Sequence, residues 1–346
     1  MAKNSEQHIA LYRKYRPQNF KEVLGQESVL SVLEESAKTG KIAHAYLFAG
    51  GRGTGKTSLA RIFARAIGCS DKDLYEIDAA SNRGIDDIRS LREGVSSLPF
   101  ESPYKVYIID EAHMLTKEAW NAFLKTLEEP PPHAIFILAT TELEKVPETI
   151  ISRCEVHAFK KPTRGVLNEM AVRVAKAEGF ELEPSAADLI ATLADGSYRD
   201  AHGILQKAIS GIKGKKISAE QVADVAGAPK TELINTFLTA LSEKDLEKAL
   251  TVVQNVEKNN FDISVFLKLS LERMRVVLLL SMSKAVGEDL LTRYSADDAK
   301  VLTELSENGV LSLDLLRELL SALAEMPRAY IPALSLELAL ARVLKV

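Results

Sequence analysis

The residues with the clearest chemistry are Gly50-Gly51-Arg52-Gly53-Thr54-Gly55-Lys56-Thr57. Their spacing is G-x-x-x-x-G-K-[ST], a P-loop, in which glycines let backbone N–H groups close around a row of phosphates. Gly51, Arg52, Gly53, Thr54, Gly55 and Ser58 would contribute to that cradle. Lys56 would neutralise the β- and γ-phosphates, and the Thr57 hydroxyl would ligate Mg²⁺. A second run, Lys105-Val106-Tyr107-Ile108-Ile109-Asp110-Glu111-Ala112-His113, is an apolar strand ending in two adjacent carboxylates. Such a pair alone could be a solvated strand end. Beside a P-loop it reads as the Walker B pattern, with Asp110 holding Mg²⁺ through water and Glu111 polarising the water that attacks the γ-phosphate. His113 reads as a packing or hydrogen-bonding residue rather than a catalytic one.

Both runs need a strand behind them and a helix beside them. The apolar stretch Ala45–Ala49 predicts a buried strand entering the P-loop, and residues 58–67 have helical periodicity, with Leu59, Ile62, Phe63 and Ala66 on one face. Further strands are expected at Leu74–Asp78, 105–109, Ala134–Thr140 and 155–159. This alternation of strand and helix predicts an α/β domain with a parallel sheet flanked by helices. A helix beginning near Lys117 must stop before Pro130-Pro131-Pro132, because proline cannot sit in a helix interior.

The chain has 346 residues, enough for two or three domains. Hydrophobic residues make up 46% and charged residues 27%, as in ordinary globular proteins. No stretch approaches the ~20 apolar residues needed to span a bilayer. Met1–His8 lacks the apolar core of a leader, so a cytoplasmic protein with no membrane partner is expected. Two cysteines, Cys69 and Cys154, are too few for a disulfide framework. The net charge of −4 carries no overall nucleic-acid signature, although a local basic lining could still track a phosphate backbone.

Ten of the twelve prolines lie at or before Pro229, and none occurs from Lys230 to Met326. Lys161-Pro162-Thr163 reads as a hinge into a small helical unit. Ser185-Ala186-Ala187-Asp188 and Ser218-Ala219-Glu220-Gln221 have the spacing of helix N-terminal caps. Beyond Pro229, Leu246, Leu250, Val253 and Val256, then Leu315, Leu319 and Leu323, recur at helical steps. The division expected is 1–162 for the nucleotide-binding domain, 163–227 for a helical lid, and 228–346 for an all-α domain.

Several further segments align with one family. Tyr12-Arg13-Lys14-Tyr15-Arg16-Pro17 and Phe20-Lys21-Glu22-Val23-Leu24-Gly25-Gln26 resemble the N-terminal signature of AAA+ clamp-loader ATPases. Ile77-Asp78-Ala79-Ala80-Ser81-Asn82 resembles their second strand and turn. The stretch 119–131, with Leu127-Glu128-Glu129-Pro130-Pro131, is similar to bacterial members. Ser152-Arg153-Cys154 matches the arginine-finger motif, and Gly196-Ser197-Tyr198-Arg199-Asp200-Ala201 the sensor 2 segment. Through residues 10–210, and more weakly beyond, the chain resembles the gamma/tau subunits of the bacterial DNA polymerase III clamp loader.

The resemblance implies an ATP- and Mg²⁺-dependent motor that opens a sliding clamp and loads it on primed DNA. Its partners would be delta, delta-prime and further gamma/tau copies, joined through a C-terminal helical collar. It assigns Arg153 as a finger acting on a neighbour's nucleotide, Arg199 as a contact to the subunit's own phosphates, and Thr141 as sensor 1, with Thr140 the nearest competitor. Tyr12, Arg16, Val23 and Leu24 would flank the adenine. Arg83, Lys125 and Lys145 lie where relatives face DNA, and contacts there would read phosphates rather than bases. Trp120 could stack on a base, although an apolar helix-face role suits it better. The four-cysteine zinc module usual in bacterial relatives is reduced here to Cys69, so zinc is not expected. Two alternatives accompany this reading: a non-catalytic, delta-prime-like architectural subunit, and a replication factor C small-subunit-like ATPase.

Overall fold

The computed structural model describes residues 9–212, 214–291, 294, 296–307 and 311–344; Met1–His8, inspected above for a leader, lie outside them. The chain divides into two compact units, Met1–Met170 with Ala194–Gly203, and Ala171–Leu193 with Ile204–Val346.

The first unit is built on five parallel strands, β1 (Ala45–Ala49), β2 (Leu74–Asp78), β3 (Lys105–Asp110), β4 (Ala134–Thr140) and β5 (Glu155–Ala158), in the order β2-β3-β4-β1-β5. Every residue of β1 and β4 is buried. A central parallel strand covered on both faces needs an unbroken apolar run, which is what those segments carry. Successive side chains then part to opposite faces. Leu47, Ile109, Phe136 and Leu138 pack with Ile88, Trp120, Phe123 and Leu127 on one side. Tyr46, Phe48, Ile108 and Ile137 pack with Leu33, Leu59 and Phe63 on the other. The covering helices include α1 (Glu27–Thr39), α2 (Lys56–Ala66), α3 (Ile85–Ser96) and α4 (Lys117–Glu128).

The register pairs Ala49 with both Thr140 and Ala158, and Asp78 with Asp110. The carboxyl ends of the strands therefore share one edge of the sheet, where ligands bind in open α/β folds. Boundaries differ from the sequence reading in small ways. Helix α2 begins at Lys56 rather than residue 58, because the P-loop leads into it without a spacer. Strand β3 runs on to Asp110, and β5 stops at Ala158. Helix α4 starts at Lys117, with the Thr116 hydroxyl accepting from the Ala119 N–H, and ends before the triple proline.

In the second unit Glu181–Leu182 and Lys216–Ile217 form a short parallel pair. Ser218 and Gln221 close a reciprocal cap on the helix Ala219–Ala226, as their spacing predicts. Ser185 is not a cap: its helix, Pro184–Leu193, begins one residue earlier, proline being well suited to a first helical position. The other elements of this unit among the described residues are helices. Phe237, Val253, Phe266, Leu319 and Leu340 are among its buried core residues. No helix among the described residues is long and apolar enough to cross a membrane.

Candidate nucleotide-binding site

The P-loop follows β1 directly, and two of its glycines, Gly50 and Gly53, are required by close approach. A Cβ on Gly50 would lie 2.5 Å from the Phe159 carbonyl oxygen. Gly53 has φ +71°, and a Cβ there would clash with Ser197 Oγ. The Gly53 carbonyl accepts the Tyr198 N–H at 3.0 Å, so the segment carrying Arg199 is bonded to the loop itself. Lys56 is buried, and its ammonium donates to the Gly50 and Gly51 carbonyls at 2.7 and 2.9 Å. Burial pulls its pKa below the ordinary lysine value, against the opposing charges of Glu111 and Asp110. Thr54 is buried and donates to the Gly51 carbonyl, whereas Arg52 is exposed. Gly51, Gly55, Thr57 and Ser58 are half-buried around them. The backbone N–H groups that begin α2 have the polarity an anion needs.

The two expected Mg²⁺ ligands meet here. Thr57 Oγ1 donates to Asp110 Oδ2 at 2.8 Å. A hydroxyl and a carboxylate beside a phosphate cradle are hard oxygen donors of the kind Mg²⁺ shares with substrate phosphates, so the residues present fit the ion. Glu111 follows with φ +49°, its N–H donating to Asp110 Oδ1 at 3.0 Å. Thr141 donates its hydroxyl to Glu111 Oε2 at 3.1 Å. Thr140 is fully buried, its hydroxyl 3.1 Å from His113 Nδ1 and accepting the Glu142 N–H. The strand end thus turns Thr141, not Thr140, toward Glu111.

Tyr12, Arg16 and Arg199 line one cavity of about 490 Å³, together with Arg13, Arg61 and Arg65. The Arg199 guanidinium lies 5.1 Å over the Tyr12 ring, a cation–π contact. Hydrogen bonding from Arg13 and then Arg199 lowers the Tyr12 pKa. Burial, and after it the charge of Arg61, lowers that of Arg16. Val23 packs half-buried against the core, and the Leu24 carbonyl accepts the Tyr198 hydroxyl at 2.5 Å. Neither of these two residues lines the cavity. Arg61 and Arg65 were missed in the sequence, although their four-residue spacing on the helix that leaves the P-loop puts them on one face.

Arg153 stands apart from this cluster. Its guanidinium pairs with Glu128 at 2.8 Å and donates to the Thr149 carbonyl at 2.8 Å. Arg83 and Lys125 are exposed, and among the described residues neither side chain has a partner. Lys145 is exposed but paired with Glu142 at 2.8 Å. Trp120 is buried against Phe123, in the helix-face role. Cys69 and Cys154 are free thiols whose pKa values burial pushes up, to about 11 and about 12.

Comparison with known proteins gives two family matches. The family described as "DNA polymerase III, delta subunit" matches residues 25–83 and 72–163. The family described as "DNA polymerase III subunits gamma and tau domain III" matches residues 217–346. DNA polymerase III subunit tau of Bacillus subtilis (strain 168) is 40% identical over 319 residues, 86% of this chain and 56% of the relative. The gamma/tau subunit of Mycoplasma genitalium is 40% identical over 282 residues, 75% of this chain and 47% of the relative. That of Mycobacterium tuberculosis (strain ATCC 25618 / H37Rv) is 35% identical over 368 residues, 97% and 62%. The chain spans about half to three-fifths of the length of these relatives. Among solved structures, the Thermotoga maritima RuvB Holliday junction branch migration motor aligns with TM-score 0.53 and 23% identity, covering 66% of this chain and 80% of that one. This likeness shows the fold: a parallel sheet with flanking helices, shared with that structure.

Proposed function

The chain belongs to the gamma/tau family of DNA polymerase III subunits, and from that premise we propose that it is an ATP-hydrolysing motor subunit of a clamp loader. The observation that carries this reading is the convergence of Lys56, Thr57, Asp110, Glu111 and Thr141 at the ends of adjacent parallel strands. Lys56 neutralises the β/γ-phosphates of ATP, and the N–H groups of Gly51–Ser58 cradle them. Thr57 and Asp110 hold Mg²⁺, which when bound offsets the phosphate charge. Glu111 takes a proton from the attacking water, oriented by Thr141. Arg199 reaches phosphate from beside Tyr12, while Tyr12, Arg16, Val23 and Leu24 surround the base.

Arg153 acts in trans. Exchange of its partner from Glu128 to a neighbour's γ-phosphate completes that neighbour's site, an effect worth on the order of 10³–10⁵ in rate in other NTPases. Arg83, Lys125 and Lys145 face primed DNA. The other partners are delta, delta-prime and further gamma/tau copies together with the sliding clamp, and the setting is the cytoplasm. The division into 1–162, 163–227 and 228–346 is kept as the functional one, with the last segment forming the collar.

The test is ATP hydrolysis by the chain with and without primed DNA, clamp and delta-type subunits. Strong stimulation that Arg153→Ala abolishes, with ATP binding retained, is expected; normal turnover in that variant sinks the finger assignment. A second reading, an architectural subunit without turnover, draws on the match of residues 25–163 to the family described as the delta subunit. Failure of the isolated chain to bind ATP would favour it.

A further inference from the structure

Glu111 leaves β3 in the left-handed region, and the short turn Ala112–Met114 that follows brings His113 back beside it. The imidazole is only 6% exposed and meets three groups. Its Nδ1 lies 3.1 Å from Thr140 Oγ1 and 3.5 Å from Glu111 Oε2. Its Nε2 lies 3.2 Å from Glu142 Oε1. Glu142 is paired in turn with Lys145, whose hydrogen bond holds that carboxyl below its ordinary range. A carboxylate only accepts, so Nε2 carries its hydrogen toward Glu142. Thr140 Oγ1 already accepts the Glu142 N–H at 3.0 Å, which leaves its own hydrogen for a neutral Nδ1. A doubly protonated ring donates from Nδ1 instead. In either form both ring nitrogens are engaged, and the Nδ1 edge borders the Glu111 oxygen that accepts the Thr141 hydroxyl.

We propose that His113 is a positioning residue for Glu111: anchored at Nε2 by Glu142 and bonded at Nδ1 to Thr140, the buried ring packs beside the carboxylate and confines it to the orientation in which Thr141 grips it. This role rests on the reading of Glu111 as the base. Neither His113 nor Glu142 touches the phosphate cradle in this arrangement, so their effect falls on turnover and not on binding.

The experiment compares kcat, KM and equilibrium ATP affinity of the full-length protein in its assembled complex, with thermal melting as a check on folding. His113→Ala should lower kcat roughly tenfold to a hundredfold, as a misplaced catalytic group does, and leave ATP affinity near wild type. His113→Asn, whose amide keeps a partner for Thr140 where Nδ1 lies but loses the Glu142 anchor, should recover part of the turnover, to about the level of Glu142→Ala. His113→Gln, whose amide reaches only the Nε2 position, should not. In a Glu111→Gln background His113→Ala should add no further loss. Wild-type kcat in His113→Ala, equal impairment of the Ala and Asn variants, or a further loss beyond Glu111→Gln would each overturn the role. If His113→Ala does not fold, Glu142→Ala decides on a more exposed side chain: reduced kcat at unchanged affinity is expected, and unchanged kcat overturns it. Wild-type turnover in Glu111→Gln itself would refute the base assignment, independently of His113.

Discussion

Gly53 and Asp73 are two residues whose environments make firm demands. At Gly53 the backbone is left-handed and Ser197 closes over the missing side chain. Gly53→Ala should weaken ATP binding about tenfold through strain and displacement of Ser197 and Tyr198, and Ser197→Gly in the same chain should restore part of it; a binding titration measures both. Asp73 is fully buried. Burial alone would raise its pKa, but the N–H groups of Glu101, Phe100 and Ser102 outweigh that and hold it at about 2. Because the folded value lies below the ordinary aspartate value of 3.8, this stabilisation is fully present above about pH 4 and is lost as pH falls toward 2. Denaturant unfolding followed between pH 5 and 2 should show that slope, and Asp73→Asn should flatten it.

At the scale of elements, one partly buried ion pair links helices of the second unit. Arg273, on the helix Ile263–Met282, pairs with Asp298 at 2.9 Å and donates to Asn235 Oδ1 at 2.5 Å, with side-chain exposures of 9% and 15% for the charged partners. It ties three helices, Thr231–Ser242, Ile263–Met282 and Ala296–Glu307, through a single guanidinium. Arg273→Ala leaves a carboxylate largely buried without its countercharge and should cost about 3–5 kcal/mol. Chemical denaturation checks this, and a loss below about 1 kcal/mol would mean that solvent reaches Asp298. The helical repeat seen in the sequence anticipated Val253, Val256, Leu315 and Leu319 as core. It could not anticipate Arg273, since a charge on a helix reads as a solvated face until a partner from another helix arrives.

For the whole molecule the testable quantity is the salt dependence of DNA binding by the assembled complex. Arg83→Ala and Lys125→Ala should each reduce the slope of log affinity against log salt by about 1. Lys145→Ala should reduce it less, because Glu142 already holds that ammonium. Equal slopes for wild type and all three variants would remove these residues from the DNA surface.

Local pattern was enough for the P-loop, the Asp110-Glu111 strand end, the five strands and the Ser218 cap. Each depends on residues adjacent in the chain: glycine spacing, an apolar run, a cap three residues from its partner. The sequence by itself also established the family resemblance, through motifs of the same local kind. Tertiary structure decided what depends on residues far apart in the chain. It brought the Thr141 hydroxyl to Glu111 and set that of Thr140 against His113. It gathered Arg61 and Arg65 with Arg16 and Arg199 around one cavity. It also seated His113 between Glu111 and Glu142. Hydrogen bonds across 27 or 30 positions, such as those of Thr140 and Thr141, leave no spacing in the sequence to read, and only the closed sheet brings their donors and acceptors within reach.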